Sequence, residues 1–122
     1  MSIMVMNTEI KGNEGVISQL NPHMELIVRI ANEKAFHGDY AEALVLYDKA
    51  LELNPKSAQV HHSKGTVYDM LGKYDEAIEC YNSALEFDPS DAEIWYNKGM
   101  TLKKKGCDDD GAECIQTGIS PV

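Results

Sequence analysis

The sequence predicts an all-α fold made of stacked antiparallel helical hairpins. Three observations carry that prediction. The stretch "GDYAEALVLYDKALELNPKS" at 38–57 returns as "GKYDEAIECYNSALEFDPSD" at 72–91, at a constant offset: 77 − 43 = 34 for an alanine, 89 − 55 = 34 for the proline. Within each copy, apolar residues recur in steps of three and four, the period of a helix that buries one face. Glycine and proline interrupt the pattern at the same two places in each copy, where helices stop. Two helices alone leave one face uncovered, so neighbouring copies are expected to share a continuous core.

The elements follow in order. Residues 1–22 read as a flexible N-terminal tail, with "VISQLNP" at 16–22 a faint echo of "ALELNP". Asn21 and Pro22 suit the N-cap and first position of the first helix. Repeat 1 spans 23–57. Leu26, Ile27, Ile30, Ala31 and Lys34 mark one face of its first helix. Tyr40, Ala43, Leu44, Tyr47, Ala50, Leu51 and Leu53 mark its second. Gly38 stands where a left-handed residue ends the first helix, and Asp39 with Glu42 predicts a capping box for the second. Asn54-Pro55 closes the unit, because the residue before proline is pushed out of the α region.

Repeat 2, 58–91, has the same punctuation, with Gly72 inside it and Asp88-Pro89 at its end. Repeat 3, 92–122, begins with "AEIWYNKGMTLKKKG", and Ser90 with Glu93 predicts its capping box. Its second helix, "CDDDGAECIQTGIS", is degenerate: Gly111 and Gly118 fall where alanine is expected, each costing about 0.5–1 kcal/mol of helix stability. Asp108, Asp109 and Asp110 favour that helix's N-terminus, where negative charge meets the dipole. The helix is expected to fray towards Pro121.

These residues resemble the tetratricopeptide repeat, a 34-residue unit. That family favours Trp, Leu-Gly and Tyr on the first helix, then Ala, an aromatic, Ala and a closing Pro on the second. The second helices here supply Ala43, Tyr47, Ala50 and Pro55, then Ala77, Tyr81, Ala84 and Pro89. The first helices supply Gly65 with Tyr68, and Trp95 with Gly99. The likeness covers about 24–117. It implies a right-handed stack of about three hairpins, an α-solenoid, that binds protein and carries no chemistry of its own.

Composition sets the outer bounds. The chain has 122 residues and a formal charge of −9, so neither a nucleic-acid backbone nor an anionic membrane surface is an expected partner. No apolar run approaches the roughly 18–20 residues that span a bilayer. The first residues lack the basic start and apolar length of a signal peptide, so a cytoplasmic location is expected. Three cysteines, Cys80, Cys107 and Cys114, suit reduced thiols better than a disulfide framework.

Catalytic and metal readings are weak. His61, His62 and Ser63 are adjacent on one helix, so their side chains diverge by about 100° per residue. Cys80 and Cys114 hold equivalent places in successive units, too far apart for a disulfide if helices pack roughly 8–10 Å apart. Cys107 and Cys114 have no nearby histidine to complete a metal site. Glu76, Glu79 and Glu86 fit a solvated face, and Lys103–Lys105 fit a helix end. No enzyme activity and no cofactor are expected.

The resemblance implies that the first helices line a concave groove for a peptide or a partner's helix. Carried over position by position, the groove residues are Val28, Asn32 and Phe36 in repeat 1, with Glu25 and Ala35 beside them. Repeat 2 contributes Gln59, His62, Thr66 and Met70, with Asp69. Repeat 3 contributes Glu93, Tyr96 and Met100, with Lys103 and Lys104. One subclass of the family clamps acidic C-terminal tails with Lys and Asn on the first unit, Asn on the next, and Lys and Arg on the third. The matching positions here hold Val28, Asn32, Ser63, Glu93 and Asn97, so every clamp cation is missing. An acidic-tail ligand is therefore not expected. An alternative role is self-assembly through the uncapped repeat 3, or a place within a longer array.

Overall fold

A computed structural model describes residues 21–120, and all regular structure among them is helical. Six helices follow one another: α1 (Pro22–Phe36), α2 (Tyr40–Leu53), α3 (Ala58–Met70), α4 (Tyr74–Phe87), α5 (Ala92–Lys105) and α6 (Asp108–Ile119). The expected tail lies, apart from Asn21 and Pro22, outside the described residues, as do Pro121 and Val122. The pairs α1–α2, α3–α4 and α5–α6 make the most extensive contacts.

Each hairpin turns on one left-handed glycine. Gly38, Gly72 and Gly106 have φ of 84°, 79° and 102°, which residues with a Cβ rarely adopt. At Gly38 the turn is closed by two backbone bonds, Gly38 N–H to Ala35 O at 3.0 Å and Asp39 N–H to Lys34 O at 2.8 Å. This 5→2, 6→1 pair satisfies carbonyls that the helix end would otherwise leave open. The same pair recurs at Gly72 and Gly106.

The caps correct two expectations. At α1, Asn21 accepts from the N–H groups of His23 and Met24, as its type and position predict. The Asp39–Glu42 box does not form. Asp39 makes no side-chain cap bond, its own N–H is spent on Lys34 O, and Glu42 pairs with the Lys34 ammonium at 3.1 Å. The glycine turn consumed the donor that the box required. At α5 the N-cap is Asp91, which accepts from Glu93 N–H at 2.9 Å, while Ser90 turns back to Asp88.

Small residues decide how closely the helices approach. Ala31, Ala43, Ala50, Ala77 and Ala84 are fully buried, with Tyr47 and Tyr81 filling the space between. A Cβ on Gly65 would come within 2.6 Å of the Tyr81 ring. Gly99 and Gly111 face each other: a Cβ on either would lie 2.5–2.6 Å from the other's carbonyl. A Cβ on Gly118 would lie 2.7 Å from Trp95 Cβ. The glycines of α6 therefore permit close helix contact. Their propensity cost is real, and their place in the packing is specific.

Buried residues gather into two clusters rather than one continuous core. The first joins α1, α2 and α3 through Met24, Ala31, Tyr47, Val60 and Val67. The second joins α4 and α5 through Tyr81, Leu85 and Ile94, with Ala58 and Tyr68 of α3 packed against it. Leu26, Ile30 and Leu53, expected to face the core, are instead substantially exposed. For Leu26 and Ile30 the cause is position: no described helix precedes α1 to cover them.

Candidate functional site: the face of the first helices

The stack has an inner and an outer side. α1 meets α3 and α3 meets α5, whereas α2 makes no such contact with α4, nor α4 with α6. Successive first helices are thus closer together than successive second helices, and the described stack curves with the first helices inside. Three connected cavities run along this face. One of about 730 Å³ lies among Glu25, Val28, Arg29, Asn32 and Gln59. The next, about 610 Å³, shares Asn32 and Gln59 and continues to Phe36, His62, Thr66, Met70, Glu93 and Asn97. The third, about 290 Å³, shares Thr66 and Met70 and ends at Tyr96, Met100 and Lys104.

The ten groove positions expected from sequence, Val28, Asn32, Phe36, Gln59, His62, Thr66, Met70, Glu93, Tyr96 and Met100, all line this channel. Helical spacing does the placing: Val28, Asn32 and Phe36 are four apart on α1, as are His62, Thr66 and Met70 on α3. Of the neighbours, Glu25, Ala35, Asp69 and Lys104 also line it, but Lys103 does not. The Lys103 stem lies against Gly111 of α6, on the far side of α5.

Hydrogen bonds fix the floor of the channel. The Tyr47 hydroxyl donates to Asn32 Oδ1, and the Tyr81 hydroxyl lies 3.5 Å from Thr66 Oγ1, both from second helix to first. Burial pushes both phenols above their usual pKa, so they stay protonated donors. His62 Nε2 lies 2.7 Å from Asn97 Nδ2, joining α3 to α5. Asp69 accepts from the buried Thr101 hydroxyl and pairs with Lys104 at 2.7 Å. Between these fixed groups Phe36, Met70 and Tyr96 remain exposed, Phe36 at 86%.

Charge along the channel is uneven. The central cavity is lined by Asp88, Asp91 and Glu93, with no lysine or arginine among its lining residues. Lys104 at one end is already paired, and Arg29 and Lys56 stand at the other end with Glu25. Asp88 and Asp91 escaped the sequence reading. They sit in the link between α4 and α5, and such links open onto the inner face at the start of each first helix. That rule was available from the repeat pattern.

The other candidates fall outside the channel or are structural. His61 bonds Pro55 O at 2.9 Å and stacks on Phe87, so it points away from its neighbour His62. Cys80 is partly buried and Cys114 buried. Burial pushes the Cys80 thiol up to about 11 despite the nearby Lys64, and raises Cys114 as well. Thiols held protonated are poor nucleophiles and poor metal ligands. Among the described residues no three His, Cys, Asp or Glu side chains converge on one point. No described helix is long and apolar enough to cross a membrane.

A curved stack of helical hairpins with an open inner channel defines a helical repeat protein. Three family profiles agree, two described as tetratricopeptide repeat over 25–57 and 46–79, and one as TPR repeat over 70–106. The chain belongs to the tetratricopeptide repeat family. A comparison with curated proteins returns no match.

Solved structures share the fold at low identity. The TPR domain of Sgt2 from Aspergillus fumigatus matches with a TM-score of 0.78 at 21% identity, over 81% of this chain and 66% of that one. The second TPR of Spaghetti (RPAP3), solved with the HSP90 peptide SRMEEVD bound, matches at 0.76 and 17%, over 87% and 96%. A crystal structure of MamA matches at 0.75 and 22%, over 79% of this chain and 52% of MamA. The chain thus spans about half the length of MamA.

Proposed function

We propose that this chain is a non-enzymatic, cytoplasmic interaction module, a scaffold element that holds a partner's peptide or helix in the channel of α1, α3 and α5. One observation carries the reading. Exposed Phe36, Met70 and Tyr96 lie on the inner face between hydrogen-bonding side chains, an arrangement that suits a polypeptide with alternating apolar and polar contacts. Spaghetti holds its HSP90 peptide on a related fold, which supports the mode but not the ligand.

The charges favour a different peptide from that one. Charge-assisted hydrogen bonds to a carboxylate contribute about 1.5–3 kcal/mol each, and the clamp's three cation positions, here Val28, Glu93 and Asn97, carry no cation to make them. Asp88, Asp91 and Glu93 add like-charge repulsion. The expected ligand is a neutral or basic segment with an apolar anchor between Val28, His62 and Tyr96. Two synthetic peptides, one ending in several carboxylates and one basic with a central Leu or Phe, test this by backbone amide NMR titration. Binding of the basic peptide with shifts on α1, α3 and α5 is expected. Micromolar binding of the acidic tail, or shifts confined to α2, α4 and α6, would sink the proposal.

A further inference from the structure

The two ends of the stack carry the two halves of one junction. Inside the chain that junction occurs twice, where a second helix packs on the next first helix. Val60 of α3 and Ile94 of α5 occupy the same place there, 94 − 60 = 34, and each is only 1% exposed. Their counterpart on α1 is Leu26, 60 − 26 = 34, which is 45% exposed. On the opposite side, Leu85 of α4 is 8% exposed, while its counterpart on α6, Ile119, is 66% exposed. Among the described residues, Leu26 is an acceptor without its donor and Ile119 a donor without its acceptor.

The exposed face of α1 is also more apolar than the later units require. Ile30 stands where they place Lys64 and Lys98. An outermost repeat normally presents a polar outer face to water. This one exchanges charge for apolar surface at a junction position, since Lys64 pairs across the α2–α3 junction with Asp48.

Charge at the two ends is matched. In the α2–α3 junction, Asp48 and Lys64 pair at 2.8 Å. The equivalent positions at the free ends hold Gln116 on α6 and Ile30 on α1, both uncharged. Joining the ends would bury no unpaired charge at that point, which is the costly error in such contacts.

We propose that the chain associates head to tail with a second copy of itself, α6 of one copy seated on the exposed face of α1 of the next. Ile119 would lie against Leu26 as Leu85 lies against Ile94, and Gln116 beside Ile30. The contact is heterologous, so it builds open chains or a ring rather than a closed two-fold dimer. It uses neither Phe36 nor Tyr96 and stands whether or not the channel binds peptide.

Sedimentation velocity of the full chain, from micromolar to millimolar protein, tests this with Leu26→Asp and Ile119→Asp. Both side chains are exposed, so both variants should keep the parent's circular dichroism. The parent's average mass should climb with concentration, and each variant should weaken association on the order of 30-fold or more. Mixing the two variants should restore a one-to-one dimer and nothing larger, because each retains one intact end. A parent that stays monomeric, association that survives Leu26→Asp, or variants that fail to complement would each overturn the proposal. A monomeric parent with a lowered melting point in Leu26→Asp alone would assign this end to residues 1–20 instead.

Discussion

Replacing Gly111 with alanine should destabilise this protein, although alanine is the better helix former by about 0.8–1.0 kcal/mol. The reason is the facing pair on α5 and α6. An added Cβ would sit 2.5 Å from Gly99 O and 2.7 Å from Lys103 Cγ. The lysine stem can swing aside, but the carbonyl is helix backbone and cannot. Relief requires α5 and α6 to separate, which loosens the contact between Gly118 and Trp95 on the same helix pair. Overpacking of this kind costs about 1–3 kcal/mol, and an unyielding backbone carbonyl puts this site in the upper part of that range, so after the propensity gain the net loss should reach up to about 2 kcal/mol. A chain of this size loses on the order of 4–8 °C per kcal/mol.

Ala112→Gly is the natural control, because Ala112 is exposed on the same helix, next to Gly111. It removes propensity without touching the pair and should cost about 1 kcal/mol. Thermal and urea unfolding followed by circular dichroism measures both. If Gly111→Ala raised the melting point, Gly111 would be an ordinary weak spot, and the close approach of α5 and α6 would be wrong.

Two further outcomes follow from the same packing. Ala77→Trp should lose on the order of 1–3 kcal/mol or more in urea unfolding, since Ala77 is fully buried and its carbonyl lies beside Gly65; a variant that melts with the parent would refute the helix register. Cys80 should react with iodoacetamide at pH 8 on the order of 100-fold more slowly than an ordinary thiol, because a pKa moved from 9.0 to about 11 lowers its thiolate fraction by that factor, and the gap should close as pH rises past 11.

Helix boundaries were legible because they rest on local chemistry. A left-handed glycine or a residue before proline is fixed by its own backbone, and Gly38, Gly72, Asn54 and Asp88 behave as their types dictate. The caps were less legible. Whether Ser90 or Asp91 caps α5, and whether Glu42 turns back to Asp39 or across to Lys34, depends on where the preceding helix ends and what stands beside it. The meaning of the α6 glycines needed a second helix in view, yet a signal existed. Ala31 with Ala43, Gly65 with Ala77 and Gly99 with Gly111 share one spacing: 43 − 31 = 12, 77 − 65 = 12 and 111 − 99 = 12. Read as pairs, they put two small buried residues at matching places in each hairpin, and Gly99 with Gly111 is a closer approach than Gly65 with Ala77. The channel positions were legible for the same reason, since one register places all three first helices.

The polar side chains of the channel serve the stack before they serve any partner. Asn32 already accepts from Tyr47, Asn97 is bonded to His62, and Asp69 is held by Thr101 and Lys104. Each bond joins two helices, so each fixes the spacing of the face as well as the group that makes it. The pattern changes together in the third unit, where Met100 and Ile115 stand in place of the Asn32–Tyr47 and Thr66–Tyr81 pairs. There the hydroxyl bond from second helix to first is replaced by two apolar side chains, with Met100 lining the channel beside the exposed Tyr96. A ligand on this face would meet Asn32 and Asn97 already partly engaged, so little of its affinity would come from those two amides. The groups left free include Phe36, Met70, Tyr96, the Gln59 amide and the carboxylate of Glu93. Selectivity on such a surface would depend on seating an apolar side chain and placing a cation near Glu93, Asp88 and Asp91, and a free C-terminal carboxylate satisfies neither requirement.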